Sequence, residues 1–242
     1  MEVEVWGQTD VGLKREINQD SILVDQKLGL YVVADGMGGH KGGEVASALA
    51  VETVRETFET QLSNNGKVTS RDLIVQSYRD ASARIYHKST MEQPDLKGMG
   101  TTMVLAYQRG NRMFFGNVGD SRAYLYRDGH LWQLTEDHSL VSEQVKAGII
   151  SEDDAEFMAG RNVITRSVGF EKEVEVDVLE RDMHVGEMVL LCSDGLCGLI
   201  SDQQIVEIIK KNKGADIVKK CVDEAKRAGG DDNISVIVLK VK

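Results

Sequence analysis

The sequence predicts an α+β fold: a central β-sandwich of two antiparallel sheets flanked by helix pairs, with a flap to one side. Three observations lead there. Short apolar runs, rich in Val, Ile, Leu and aromatics, follow one another closely through the middle of the chain. The turns between them are too short for crossover helices, which favours antiparallel pairing. Helical patterns come in sequential pairs between the groups of strands, which suggests segregated layers.

The strand candidates, in order, are Gly29–Ala34, Thr102–Tyr107, Arg112–Val118, Ala123–Arg127, Met188–Ser193 and Asn233–Lys240. Each is bounded by Gly, Asp or Asn. Gln108-Arg109-Gly110-Asn111 and Asp128-Gly129 read as hairpin turns. From Gly43 to Leu62, Val51, Val54, Phe58 and Leu62 recur at helical spacing opposite Glu52, Arg55, Glu56 and Glu59. A second helix is expected from Ser70, taken as its N-cap, to about Lys88. Asp202–Lys211 and Ala215–Ala228 form the later pair. The stretch from Ser139 to Gly169 is weakly apolar, and its SEDD at Ser151 resembles a capping box. It reads either as a mobile flap (about 140–170) beside a site or as an ordinary surface excursion.

The 242 residues carry a net charge of -10 and a single proline, and no linker-like tract divides them. One domain over residues 1–242 is expected. No uninterrupted apolar window is long enough to span a membrane, and the first residues lack the pattern of a secretory leader. Cys192, Cys197 and Cys221 are few and odd in number, which fits a reducing, cytoplasmic setting. Buried inert thiols are the plainer reading of them, beside a redox or zinc pair at Cys192 and Cys197. The acidity argues against nucleic acid as the main partner.

Five aspartates border predicted strands: Asp20, Asp35, Asp120, Asp194 and Asp232. Any one of them is ordinary turn chemistry. Five at strand ends can converge on one sheet rim, where repulsion demands protons, cationic partners or metal. Too few Lys or Arg lie nearby to pair them all. All-oxygen ligands favour Mg²⁺ or Mn²⁺, and two such ions suit phosphoryl transfer. Arg15, five residues before Asp20, is either a fork for phosphate oxygens or a solvated arginine, with Lys14 as a competitor. P-loop, dinucleotide, kinase and GxSxG signatures are absent.

With these residues in place, the chain resembles the bacterial branch of the metal-dependent, 2C-type protein phosphatases. The matching segments are Gly12–Asp20, Val32–His40, Gly98–Thr102, Asn117–Leu125, Leu134–Ser139, Arg161–Gly169, Leu190–Leu196 and Gly229–Ile237, in the family's order. The resemblance implies hydrolysis of phosphoserine and phosphothreonine in proteins by water activated at two Mn²⁺ or Mg²⁺ ions, with no phosphoenzyme. It implies that Asp35 bridges both metals, that the Gly36 carbonyl binds one, and that Asp194 and Asp232 are further ligands. Asp120 would join Asp194 at a weaker third site. Asp20 would orient water, and Arg15 would hold the substrate phosphate. Met37 stands where some relatives place a general-acid histidine, so His40 or a water is the candidate donor. The expected partners are phosphorylated substrates of a Ser/Thr kinase, met by a monomer. Two alternatives remain: a metallohydrolase for nucleotides or small phosphate esters, and a non-catalytic phosphoprotein binder.

Overall fold

The computed structural model describes residues 1–63, 68–151, 154 and 163–242, without the side chains of 39–41. Its strands are β1 (Val3–Asp10), β2 (Asp20–Asp25), β3 (Leu30–Met37), β4 (Gly100–Thr101), β5 (Met103–Arg109), β6 (Arg112–Val118), β7 (Arg122–Arg127), β8 (His130–Gln133), β9 (Asp177–Asp182), β10 (Met188–Cys192) and β11 (Ile234–Val241). The α-helices are α1 (Gly39–Ser63), α2 (Ser70–His87), α3 (Leu140–Lys146), α4 (Asp194–Cys197), α5 (Asp202–Lys211) and α6 (Ala215–Arg227).

One antiparallel sheet has the order β1-β11-β10-β7-β8, and the other β2-β3-β5-β6-β9, with β4 paired to β3. Alternation along the strands separates three apolar layers. Tyr31, Val33, Val104 and Phe115 of one sheet meet Leu125, Leu191, Ile237 and Leu239 of the other. Their neighbours Val32, Met103, Leu105 and Phe114 point the other way, onto Val54, Phe58, Leu73 and Tyr78 of α1 and α2. On the far side, Leu190, Val236 and Val238 pack against Ile205, Ile209, Ile217 and Val222 of α5 and α6. The expected α-β-β-α layering is therefore present. Central strands apolar on both faces are what burial on both sides requires.

Local signals acted as their chemistry dictates. Asp128 and Gly129 both have positive φ, as a two-residue hairpin turn between β7 and β8 demands. The cap of α2 is corrected by one residue: Thr69, extended, accepts from the Asp72 amide, and Ser70 is already helical. Helix α1 starts four residues before the expected Gly43 and runs through a glycine-rich turn that favours helix poorly. Those glycines serve close approach, since a Cβ on Gly43 would come within 2.6 Å of the Gly36 carbonyl oxygen.

In the flap region, Ser139 caps α3, and Ser151 Oγ accepts from the Asp154 amide at 3.1 Å, one of the two bonds of a capping box, while donating to Asp154 Oδ2 at 2.6 Å. Most of residues 152–162 lie outside the described part, including Arg161 and Asn162. Among the described residues, no helix is long and apolar enough to cross a membrane. Cys192 and Cys221 are buried and Cys197 is half-buried, all as free thiols.

Candidate metal centre

The five aspartates reach one rim from both sheets. Asp20 opens β2 and lies directly opposite Asp35 of β3 in antiparallel register. Two like charges in that relation are destabilising on their own. Asp120 lies in the bend between β6 and β7, Asp194 opens α4 just beyond β10, and Asp232 lies two residues before β11. Asp35, expected just beyond a strand ending at Ala34, lies within it, because β3 continues to Met37 by pairing with β4.

Their electrostatics show that they meet. Burial, then the charges of Asp20 and Asp194, push the Asp35 carboxyl well above the ordinary range. Asp20 is pushed up to about 6, first by burial, and Asp194 is raised by burial and by Asp232. Asp120 is pushed up to about 7 by burial and by Asp194. Arg15 is a cationic partner there: its guanidinium donates to Asp232 Oδ2 at 2.7 Å. Two buried carboxylate oxygens, Asp20 Oδ1 and Asp194 Oδ1, have no hydrogen-bond partner among the described residues. Buried oxygens left bare in this way are costly unless something else binds them.

The donor set fits hard divalent cations: carboxylates, backbone carbonyls approachable at glycine, and an excess of negative charge. Gly36 is required at its position, since a Cβ there would collide with the Gly43 carbonyl and lie 2.6 Å from that of Gln19. Among the described residues, no three His, Cys, Asp or Glu side chains already close around one point as a finished cage. A cavity of about 610 Å³ between α1, β1 and β2 is lined by Ser21, Glu52 and Arg55 and by none of the five aspartates.

Supporting residues escaped the sequence reading. Ser193 Oγ donates to Asp20 Oδ2 at 2.8 Å and accepts from the Ser235 amide at 3.0 Å. Asn233 accepts from the Gln19 amide and donates to the Val11 and Ile17 carbonyls, strapping the Arg15 segment to the start of β11. Thr102 Oγ1 accepts from the Asp35 amide at 3.3 Å and lies 2.7 Å from Ser121 Oγ. Each lies inside a segment quoted above; adjacency to an aspartate was an available signal for Ser193, Asn233 and Ser121, but not for Thr102. The His40 side chain lies outside the described part.

A profile of the protein phosphatase 2C family matches residues 13–222. The chain belongs to that family. This 2C-type phosphatase is 35% identical to serine/threonine phosphatase stp of Listeria innocua, over 96% of this chain and 94% of that protein. Its fold superposes on the Mycobacterium tuberculosis serine/threonine phosphatase PstP/Ppp with a TM-score of 0.90 and 34% identity, covering 99% of both chains. The catalytic domain of PstP solved in complex with two manganese ions gives a TM-score of 0.86, with 34% identity and 99% of both chains covered.

Proposed function

We propose that this 2C-type phosphatase hydrolyses phosphoserine and phosphothreonine in proteins with two Mn²⁺ or Mg²⁺ ions, working as one domain over residues 1–242. The observation that carries the reading is the crowding of five carboxylates beside Arg15, with raised proton affinities at Asp20, Asp35, Asp120 and Asp194 and two bare buried oxygens. Asp35, the Gly36 carbonyl, Asp194 and Asp232 would hold the two ions, and Asp120 with Asp194 a weaker third. When bound, such ions lower the pKa of water and offset phosphate charge.

The chain's own residues do the rest. Asp20, anchored by Ser193, offers its bare Oδ1 to orient the attacking water. Attack on phosphorus is direct, so no phosphoenzyme forms. Arg15 reads the equatorial phosphate oxygens through its two-pronged guanidinium. Met37 has no proton to give, which leaves His40 or a water to protonate the departing seryl or threonyl oxygen. Substrates are the phosphoproteins of a Ser/Thr kinase, met by a monomer.

Hydrolysis of a phosphopeptide with EDTA, followed by Mn²⁺ add-back, tests the reading. Loss and recovery of turnover are expected, and turnover indifferent to EDTA refutes it. A nucleotide or aryl phosphate hydrolysed in preference to the phosphopeptide would overturn the substrate assignment.

A further inference from the structure

His138 is 5% exposed, and every polar atom it has is engaged. Its Nδ1 accepts from the Gly119 amide at 3.1 Å, while its own amide donates to the Gly119 carbonyl at 3.0 Å. An Nδ1 that accepts leaves the neutral ring's proton on Nε2, which faces Asp177 Oδ2 at 3.1 Å. Arg166 Nη1 donates to the other oxygen of Asp177 at 3.0 Å. The His138 carbonyl accepts from the Thr165 amide at 2.9 Å, and Ser139 bridges Ile164. One residue thus joins the bend before Asp120 to the chain returning from the flap.

Other bonds hold the same bend. A Cβ on Gly119 would lie 2.5 Å from Thr102, and Gly119 has φ +102°, so glycine is needed for this approach. Thr102 in turn touches Ser121 and the Asp35 amide. Asn117 Nδ2 donates to the Glu136 carbonyl, and Arg122 pairs with Asp137 at 2.6 Å. The Asp120 bend is therefore gripped between Thr102 and the 136–139 segment.

We infer that His138 is a positioning residue: through Nδ1 it fixes the Gly119–Asp120 bend, and through Nε2 and its carbonyl it ties that bend to Asp177, Arg166 and the flap. The inference rests on the reading of Asp120 as a ligand of the weakest cation site. Outer partners that orient ligands commonly affect metal affinity by about 10-fold or more.

The two ring nitrogens can be separated by substitution. His138→Asn keeps an acceptor where Nδ1 lies, and His138→Gln keeps a donor near Nε2. Mn²⁺ binding to the full chain is followed by titration calorimetry, and exchange of the Gly119 amide by hydrogen–deuterium exchange. The Gln and Ala variants should weaken the weakest Mn²⁺ step by about 10-fold and speed Gly119 exchange, with Asn restoring both to within about threefold of the parent. Parent-like Mn²⁺ binding in all three variants overturns the inference. So does equal impairment of Asn and Gln with lowered melting temperatures, since a purely structural histidine would behave that way. Both readouts are of binding and exchange, so they decide on His138 whether or not the parent turns over a phosphopeptide.

Discussion

Replacing Asp20 by Asn in the metal-free protein should make it more stable at pH 8 while impairing catalysis. Asp20 is 7% exposed, and burial raises its carboxyl from an ordinary 3.8 to about 6. A carboxyl raised in the folded state holds its proton more tightly folded than unfolded. Its contribution is therefore present at low pH and lost as the pH climbs from about 4 through 6. At about 1.4 kcal/mol per tenfold change in proton affinity, the ionised group costs the fold roughly 3 kcal/mol at pH 8. Asn keeps an oxygen for the Ser193 hydroxyl, now at 2.8 Å, and removes the charge. In a chain of this size, that corresponds to a rise in melting temperature of about 6–12 °C in EDTA. The gain should narrow as the pH falls toward 4, and Mn²⁺ should stabilise the parent more than the variant. Calorimetric melts across pH 4–8, with EDTA or Mn²⁺, measure all of this. A variant no more stable than the parent in EDTA at pH 8 would refute the account of the site as crowded, uncompensated charge.

Asp35→Asn should lower turnover on a phosphoserine peptide at saturating Mn²⁺ by at least about 10²-fold, and activity within a few-fold of the parent would contradict its central place. Arg15→Ala should raise KM for phosphopeptide and leave the fold intact, because the side chain it removes is half exposed; steady-state kinetics beside a melting curve check both. Gly36→Ala should fail to fold or melt far below the parent, since its Cβ has backbone on two sides; circular dichroism on the purified variant decides. Phe58→Ala, fully buried with its ring 4.9 Å from that of Tyr107, should cost about 3–5 kcal/mol in denaturant unfolding without changing KM.

What could be read from the sequence follows from burial. Every strand named in advance is interior to its sheet: β3, β5, β6, β7, β10 and β11. Covered on both faces, they are written as unbroken apolar runs such as Leu190–Cys192 and Val236–Leu239. The four edge strands, β1, β2, β8 and β9, are not among the runs the sequence predicts. In β9, Asp177, Glu180 and Asp182 face solvent, and β8 carries exposed His130 and Gln133. Charge and brevity protect an edge from pairing with another chain, and they also erase the alternation that identifies a strand. The site was legible as residue types at turns, because aspartate beside glycine is a local pattern. Its supports were not, since Asn233 reaches 222 residues back along the chain to Val11. A contact that distant leaves no trace in spacing.

β11 lies between β1 and β10, with Ile237 opposite Gly7 on one side and Leu191 on the other. It is the last of the described strands to leave the ribosome, yet it occupies a central place. Until it arrives, β1 and β10 have no neighbour to join them, and Asp232 is missing from the rim. Long-range closure of this kind folds slowly. The rim therefore cannot gather all five aspartates before the chain has been made through Asp232 and β11.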